Sequence, residues 1–194
     1  MNDVKYGKIV DFVHMLIKGS YEGKSNLSLV DATCGNGFDA LFLCKVAGSS
    51  GIVTAFDIQD QAIERTSTLL EANLDFKNYR IIKDSHELID KYLTDKIDIA
   101  LFNLGYLPFS DKEVTTTPEV TVNAIKNILS LLKDDGRVYI TTYISHDSGK
   151  EIKEISNFLL NLNKKDYNVI NMRIINKENA PPELFIIEKN AWLG

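Results

Sequence analysis

Two polar clusters in this sequence contain residue types that can bind a ligand and act on it. The first follows an apolar run and opens a helical pattern, and it reads Asp31-Ala32-Thr33-Cys34-Gly35-Asn36-Gly37-Phe38-Asp39. The second ends the apolar run 97–102, and it reads Asn103-Leu104-Gly105-Tyr106-Leu107-Pro108. An amide oxygen can accept a hydrogen bond from a substrate amine, and a tyrosine ring can stack on a base. The second cluster therefore predicts a substrate site, with a plain strand-end turn as the alternative.

The first cluster has the glycine spacing of a cofactor-binding turn. Gly35 and Gly37 allow tight backbone geometry and the close approach of a ligand, and Ala40 can take the place of a third glycine. Asp57 lies 20 residues after Gly37, the distance expected for a carboxylate that binds a ribose. This spacing is compatible with a nicotinamide dinucleotide, so it does not decide the cofactor.

The acidic residues of the turn favour a different cofactor. Asp31 ends the first strand, where a carboxylate would repel a pyrophosphate, and Asp39 adds a negative charge in the first turn of the helix. S-adenosyl-L-methionine carries a sulfonium and an ammonium and no phosphate. Acidic residues at the mouth of the site suit this cofactor, and Asp57 would bind its ribose hydroxyls. A structural turn with capping aspartates is the alternative.

Strand-like and helix-like segments alternate along the chain and would place both clusters at strand ends. This alternation predicts an α/β fold with parallel βαβ units in a doubly wound sheet. The last two strands have no helix between them, so they are expected to form an antiparallel pair at one edge. The predicted strands are 27–31, 52–56, 79–82, 97–102, 138–143, 167–175 and 184–188. The predicted helices are 5–18, 38–46, 59–74, 85–93, 118–132 and 149–162.

Five short motifs in combination resemble a known family. They are D-A-T-x-G-N-G-x-D from Asp31, F-D-I-Q from Phe56, S-H from Ser85, N-L-G-Y-L-P from Asn103 and N-x-x-N-x-P-P from Asn176. Over residues 14–189 the chain resembles the "putative rRNA methylase" family of class I methyltransferases. Within that family it is similar to the bacterial enzymes that N-methylate 5-aminomethyluridine at the tRNA wobble position.

The resemblance implies a fold, a cofactor and a partner. The fold would be a Rossmann-like class I methyltransferase, with a mostly parallel seven-stranded doubly wound sheet and an antiparallel edge pair at the C-terminus. The cofactor would be S-adenosyl-L-methionine, and the partner would be tRNA, bound through its anticodon loop.

The strand-end positions and the resemblance together assign roles to individual residues. Asn103 is expected to hold the amine and Tyr106 to cover it, so these two are the predicted catalytic residues. The predicted cofactor-binding residues are Asp31, Thr33, Gly35, Asn36, Gly37, Asp39, Asp57, Ile58, Gln59, Ser85, His86 and Asn103. The predicted substrate-binding residues are Leu104, Gly105, Tyr106, Pro108 and His146.

Several polar side chains have a structural alternative. Gln59 and Ser85 can cap the helices that follow them. His86 is expected to stack on the adenine, with a surface histidine as the alternative. His146 either assists deprotonation of the amine or is a surface histidine. His14, on the first helix, is expected to have a structural role or to contact the neighbourhood of the cofactor.

Length and composition limit the class of protein. The chain has 194 residues, 44% of them hydrophobic and 25% charged. This fits a single domain over 1–194, with an N-terminal helix and loop over 1–26. The net charge of −5 argues against coating of nucleic acid by bulk electrostatics, and a local basic patch for one RNA loop stays compatible with it. Cys34, Cys44 and three scattered histidines predict packed thiols and no metal site.

The same features set expectations about location and function. No apolar run approaches the roughly 20 residues that span a bilayer, and the N-terminus lacks the pattern of a secretory signal. We therefore expect a cytoplasmic protein with no membrane partner, and we leave a homodimer open. The first functional hypothesis is methyl transfer to an amine of tRNA uridine. The second is a methyltransferase for rRNA or a small-molecule amine. The third is an NAD-dependent oxidoreductase or a non-catalytic nucleotide-binding domain.

Overall fold

Strands and helices alternate along the chain, as the hydrophobic pattern predicts. The structure, a computed structural model, describes residues 8–105, 117–143, 149–176 and 181–190. The strands are β1 (Ser28–Asp31), β2 (Ile52–Asp57), β3 (Tyr79–Lys83), β4 (Ile97–Leu104), β5 (Leu132–Thr142), β6 (Tyr167–Arg173) and β7 (Glu183–Lys189). The helices are α1 (Ile9–Tyr21), α2 (Phe38–Ala47), α3 (Asp60–Asn73), α4 (Ile89–Tyr92), α5 (Pro118–Leu131) and α6 (Lys150–Leu160), and a 3₁₀ turn (His86–Leu88) precedes α4.

The seven strands form one sheet in the order β3-β2-β1-β4-β5-β7-β6. Strands β1 to β5 are parallel to one another, and β7 runs antiparallel to both β5 and β6. The predicted fold class and the antiparallel C-terminal pair are confirmed. The chain passes from β1 outward to β2 and β3, then crosses to β4 on the other side of β1. The carboxyl ends of β1 and β4 therefore flank the switch point, where ligands bind in open α/β sheets.

Two hydrophobic clusters pack on opposite faces of the sheet. One joins Ile89 of α4, Ile125 of α5 and Ile155 of α6 to inward-facing strand residues such as Val30. The other joins α1, α2 and α3 to the opposite face, where the neighbouring Leu29 points. This alternation of side chains follows the two-residue period of a strand, and it gives the three layers of a doubly wound fold. None of the helices in the described ranges is both long enough and apolar enough to cross a membrane.

Several element boundaries differ from the predicted ones, and at two of them a long-range contact explains the difference. Helix α1 continues past the predicted end at residue 18. Its last residue, Tyr21, is fully buried and donates its hydroxyl hydrogen bond to the carbonyls of Asp98 (3.3 Å) and Asp135 (3.0 Å). Strand β5 begins at Leu132, where a helix end was predicted, because Leu132 pairs with Ile97 before an irregularity in the ladder.

Candidate functional site

The glycine turn after β1 is tied by backbone hydrogen bonds to the strands on both sides of it. Ala32 N–H donates to the carbonyl of Leu101 on β4 at 2.9 Å, and Cys34 N–H donates to the carbonyl of Phe56 on β2 at 2.9 Å. Gly35 and Gly37 have φ values of 50° and 82°, in the left-handed region. The turn is therefore a rigid part of the sheet edge, and its conformation requires glycine at both positions.

Gly37 also lies against helix α3 too closely to carry a side chain. A Cβ atom at this position would lie 2.9 Å from Cα of Thr66 and 3.1 Å from its hydroxyl oxygen. The same hydroxyl donates to the carbonyl of Gly35 at 3.3 Å. The backbone of α3 thus approaches Gly37 closely, and the predicted close approach of a ligand stays a prediction.

Replacing Gly37 with alanine should destabilise the protein by roughly 2–4 kcal/mol, since it combines left-handed backbone strain with overpacking. Gly23 is a matched control because its φ is also +82° and a Cβ there meets nothing within 4 Å. We expect Gly23→Ala to cost only about 1 kcal/mol, the strain alone. Urea denaturation of both variants measures the difference. Equal losses would mean that the contact with Thr66 relaxes without cost.

Asp57 at the end of β2 is oriented by two backbone donors. Its Oδ2 accepts from Gly35 N–H at 3.0 Å, and its Oδ1 accepts from Gln59 N–H at 3.0 Å. A carboxylate has about four acceptor sites, so two remain for a ligand. Asp57 is only half-buried. This geometry suits the predicted contact with two ribose hydroxyls, with the carboxylate already in place.

Asp31, predicted as an acidic residue at the mouth of the cofactor site, is completely buried, so it is not an exposed acid at the strand end. Its Oδ1 accepts from Thr33 N–H at 3.1 Å, and its Oδ2 has no hydrogen-bond partner among the described residues. Burial raises the pKa of the Asp31 carboxyl well above its usual range, and the carboxylates of Asp39 and Asp57 raise it further. The unpaired oxygen and the two neighbouring charges together favour a cationic group near this position.

The raised pKa of Asp31 predicts a pH-dependent cost in stability. The Asp31 carboxyl binds its proton more tightly in the folded state than in the unfolded state. Protonation of Asp31 therefore stabilises the fold fully below the ordinary pKa range of aspartate, and this stabilisation is lost as pH rises towards the folded pKa. The amide introduced by Asp31→Asn cannot titrate. We therefore expect the stability of Asp31→Asn, relative to wild type without cofactor, to increase by about 1 kcal/mol or more between about pH 5 and pH 8.

Urea titrations of both proteins across this pH range measure that difference. Asp75→Asn, at an exposed position, is the control and should show no such trend. A constant difference between Asp31→Asn and wild type at every pH would show that Asp31 has the same pKa in the folded and unfolded chain.

Asn103 near the end of β4 is held by two residues of the glycine turn and α2. Its backbone N–H donates to Oγ1 of Thr33 at 2.8 Å, and its side-chain Nδ2 donates to Oδ2 of Asp39 at 3.0 Å. The other carboxylate oxygen of Asp39 lies 2.6 Å from Nε2 of His14 on α1. The structure thus brings together Asn103, Thr33 and Asp39, as predicted, and adds His14 to the same group.

His86 lies inside the fold under the ends of β1 and β4, so the surface alternative for this residue is wrong. Its Nδ1 is 3.2 Å from the carbonyl oxygen of Ala32, and its ring meets Phe102 edge to face at 5.8 Å. Burial lowers the pKa of His86 to about 4, which keeps the imidazole neutral near pH 7. Its Nε2 has no partner among the described residues. The predicted contact with adenine stays a prediction.

The capping alternatives for Ser85 and Gln59 have different outcomes. Ser85 precedes the 3₁₀ turn, and its hydroxyl accepts from Glu87 N–H at 3.4 Å, as a cap does. Gln59 occupies the N-cap position of α3, but its side chain makes no capping hydrogen bond. The Gln59 side chain therefore stays compatible with the predicted ribose contact.

Two further predicted cofactor residues lie on the solvent side of the turn. Asn36 accepts a hydrogen bond from Nη1 of Arg65 through its Oδ1 at 3.0 Å, so a residue of α3 supports this side chain. Ile58, which follows Asp57, is a large apolar side chain left 40% exposed. An exposed isoleucine next to Asp57, the carboxylate predicted to bind a ribose, provides an apolar surface of the kind that an adenine ring covers.

The end of β4 lies beside Tyr143, a residue just after β5 that the sequence did not single out. Leu104 is buried in the core and Gly105 is exposed, and a Cβ on Gly105 would lie 3.3 Å from the ring of Tyr143. Burial and the Asp39 carboxylate raise the pKa of Tyr143. The sequence offered no signal for Tyr143 beyond its position at the end of a strand. The predicted residues Tyr106, Pro108 and His146 lie outside the described residues.

The two cysteines are packed thiols, as predicted. Cys34 and Cys44 are both buried and free, and burial raises the pKa of each thiol, to about 12 for Cys44. Within the part of the chain that the structure describes, no group of three potential ligand side chains is placed to hold a metal ion.

Comparison with known sequences identifies a matching family and a plant relative. The family described as "Putative rRNA methylase" matches residues 53–188, more than half of the chain. The chloroplastic tRNA (mnm(5)s(2)U34)-methyltransferase of Arabidopsis thaliana is 31% identical over 173 residues, which is 84% of this chain and 63% of that protein. The chain therefore spans less than two thirds of the length of this relative.

Two solved bacterial structures have the same fold over nearly the whole chain. A "putative rRNA-methylase" from Clostridium thermocellum has a TM-score of 0.89 and 36% identity, covering 96% of this chain and all of that one. A "putative methyltransferase" from Streptococcus mutans, in complex with SAH, has a TM-score of 0.85 and 36% identity with the same coverage.

Proposed function

The chain belongs to the "Putative rRNA methylase" family of S-adenosylmethionine-dependent methyltransferases, and from that premise we propose that it methylates the amine nitrogen of 5-aminomethyluridine at the tRNA wobble position. The third hypothesis, an NAD-dependent oxidoreductase or a non-catalytic domain, is wrong for a member of this family. The name of the plant relative supports the tRNA substrate, because it describes a tRNA wobble-uridine methyltransferase.

The proposal depends on the orientation of the Asn103 side-chain amide. Its nitrogen donates to Asp39 at 3.0 Å, so the carbonyl oxygen at the other end of the amide is left as an acceptor. Asn103 lies at the switch point, beside the glycine turn that would bind the cofactor. An acceptor in this place suits a substrate atom that has a hydrogen to donate, and a primary amine is such a group.

The described residues fit the cofactor of this family. Asp57 has acceptor sites left for two ribose hydroxyls, and Ile58 offers an apolar surface for an adenine. The unpaired Oδ2 of Asp31 suits a cationic group. When bound, S-adenosylmethionine supplies a methyl group on positively charged sulfur, and the electron pair of the broken carbon–sulfur bond returns to sulfur.

The contribution of the protein is to orient the substrate and to exclude water. Asn103 would accept one amine hydrogen and direct the nitrogen lone pair, which gives the geometry that in-line transfer requires. The carbonyls of Leu104 or Gly105 would take the second hydrogen. An ordinary alkylamine is protonated about 10³-fold over its neutral form at pH 7, so the site must select the neutral amine. The amine releases its proton to solvent before transfer, and the methylated product forms as a secondary ammonium.

The direct test is nucleoside analysis of tRNA that carries 5-aminomethyluridine, after incubation with the full chain and S-adenosylmethionine. We expect conversion to the N-methylated nucleoside. Parallel reactions with rRNA and with free 5-aminomethyluridine nucleoside test the second hypothesis. Methylation of either of these in place of tRNA would overturn the tRNA assignment. The proposed hydrogen bond from the substrate amine to Asn103 would still stand.

We also propose that the protein acts in the cytoplasm and functions without a membrane partner, as expected from its sequence. Cell fractionation with an antibody to the full chain tests the location. The homodimer stays a prediction, and sedimentation analysis at several protein concentrations tests it.

A further inference from the structure

A chain of side-chain contacts leads from the N-terminal helix to Asn103. Nδ2 of Asn103 donates to Oδ2 of Asp39 at 3.0 Å, and Nε2 of His14 lies 2.6 Å from Oδ1 of the same carboxylate. We propose that Asp39 and His14 are positioning residues that fix the orientation of the Asn103 amide for the substrate amine. The inference rests on the proposed function, in which Asn103 accepts a hydrogen bond from that amine.

The chemistry of a carboxylate decides which end of the Asn103 amide faces Asp39. An ionised carboxylate only accepts hydrogen bonds, so the amide nitrogen, which only donates, must point towards it. The terminal torsion of asparagine is broad and roughly two-fold, and an unrestrained amide can turn over. The turned amide would present N–H groups to an amine that also needs an acceptor. Asp39 therefore selects the orientation that can bind the substrate.

His14 in turn holds the carboxylate in the position that Asn103 needs. Asp39 is 7% exposed and lies close to the buried carboxyl of Asp31, so it needs donors to be stable there. The His14 ring supplies one of them through Nε2. This ring also stacks on Phe42 of α2, with 3.8 Å between ring centroids and 6° between planes. Phe42 and Asp39 belong to the same helix, so the stack and the hydrogen bond fix the imidazole from two sides.

A double-mutant cycle separates this role from a general structural one. We expect Asp39→Ala to lower kcat by about 30- to 100-fold, the size of effect that a small misplacement of a reacting group produces. In the Asn103→Ala background the same change should lower kcat by less than about threefold, because the amide that Asp39 orients is absent. Because Asp39 is also a predicted cofactor-binding residue, both kcat values are measured at saturating S-adenosylmethionine, where a change in cofactor affinity does not enter them. An equal loss of kcat in both backgrounds would show that the effect of Asp39 is independent of Asn103, and it would overturn the proposal.

His14→Phe is the second variant, and it keeps an aromatic ring for the stack on Phe42 while removing the hydrogen bond to Asp39. We expect kcat to fall by about tenfold, with no further fall when it is added to Asp39→Ala. This variant carries the test if Asp39→Ala does not fold. Phe12→Leu, a change in the same helix at a partly buried position, is the control for general disturbance of α1. Equal losses in His14→Phe and Phe12→Leu would overturn the role of His14.

A measurement that needs no substrate distinguishes this inference from the proposed function. The side-chain amide signals of Asn103 in an ¹⁵N NMR spectrum can be assigned by their absence in Asn103→Ala. We expect these signals to shift, and their hydrogens to exchange faster, in both Asp39→Ala and His14→Phe. Unchanged signals in both variants would overturn the inference. Shifted signals without any methylation by wild type would support the positioning contacts and overturn the proposed function.

Discussion

Replacing Asn103 with alanine should lower kcat for methyl transfer by about 10²- to 10³-fold, while affinity for S-adenosylhomocysteine changes little. The variant removes the oxygen that would accept from the substrate amine, and effects of this size follow the loss of one well-placed polar contact in an active site. The cofactor pocket keeps Asp57 and the glycine turn, whose hydrogen bonds do not depend on the Asn103 side chain. Single-turnover transfer of a labelled methyl group and calorimetric titration with S-adenosylhomocysteine measure the two quantities.

Asn171→Ala is the matched control for this experiment. Asn171 lies on the edge strand β6, where its exposed side chain donates to Glu183 at 3.1 Å, away from the switch point. We expect this variant to keep the kcat of wild type. If Asn103→Ala turns over as fast as Asn171→Ala, Asn103 is a strand-end residue without a part in the reaction.

Replacing Asp57 with alanine should mainly lower the affinity for the cofactor, whereas Asn103→Ala should mainly lower kcat. Two hydrogen bonds from ribose hydroxyls to a charged acceptor, each contributing about 1.5–3 kcal/mol, would be lost. The backbone N–H groups of Gly35 and Gln59 would also lose their acceptor, which loosens the turn. We expect the Kd for S-adenosylhomocysteine to rise by at least about 100-fold, or roughly 2.7 kcal/mol.

Asp60→Ala provides the control, since it removes a carboxylate three residues further along the chain. The Asp60 side chain is 82% exposed and pairs with Lys83 at the surface, so its loss should hardly affect the cofactor. Thermal shift with increasing S-adenosylhomocysteine gives the affinities of both variants. An Asp57→Ala protein that binds as tightly as Asp60→Ala would show that the ribose lies elsewhere.

The prediction of the fold succeeded because its signals are local. The alternation of apolar segments, the glycine spacing around Gly37 and the absence of a helix between the last two strands are all visible within short windows. Two of the boundaries that were wrong, at Tyr21 and Leu132, depend on contacts with residues far along the chain. Short windows cannot contain such contacts.

The site was predicted less completely than the fold, and for the same reason. Asp57 and Asn103 stand out in sequence because they end strands and belong to recognisable motifs. Tyr143 does not, although its ring lies next to Gly105 at the end of β4. His14 was expected only to have a structural role or to contact the neighbourhood of the cofactor, and the structure places its Nε2 2.6 Å from Asp39. His14 is separated from Asp39 by 25 positions, and its neighbours in sequence form an ordinary amphipathic helix. Only the packing of α1 on α2 gives this histidine a partner in the site.

The sequence by itself determined the order of strands and helices, the glycine turn and the identity of the acidic and amide residues at the strand ends. Those features follow from the period of apolar residues and from the conformations that glycine allows. The tertiary structure decided that Asp31 is buried with a raised pKa and that one end of the Asn103 amide is bound to Asp39. Burial and hydrogen-bond partners depend on which segments meet in space, and β1, α1, α2 and β4 meet only when the sheet has formed.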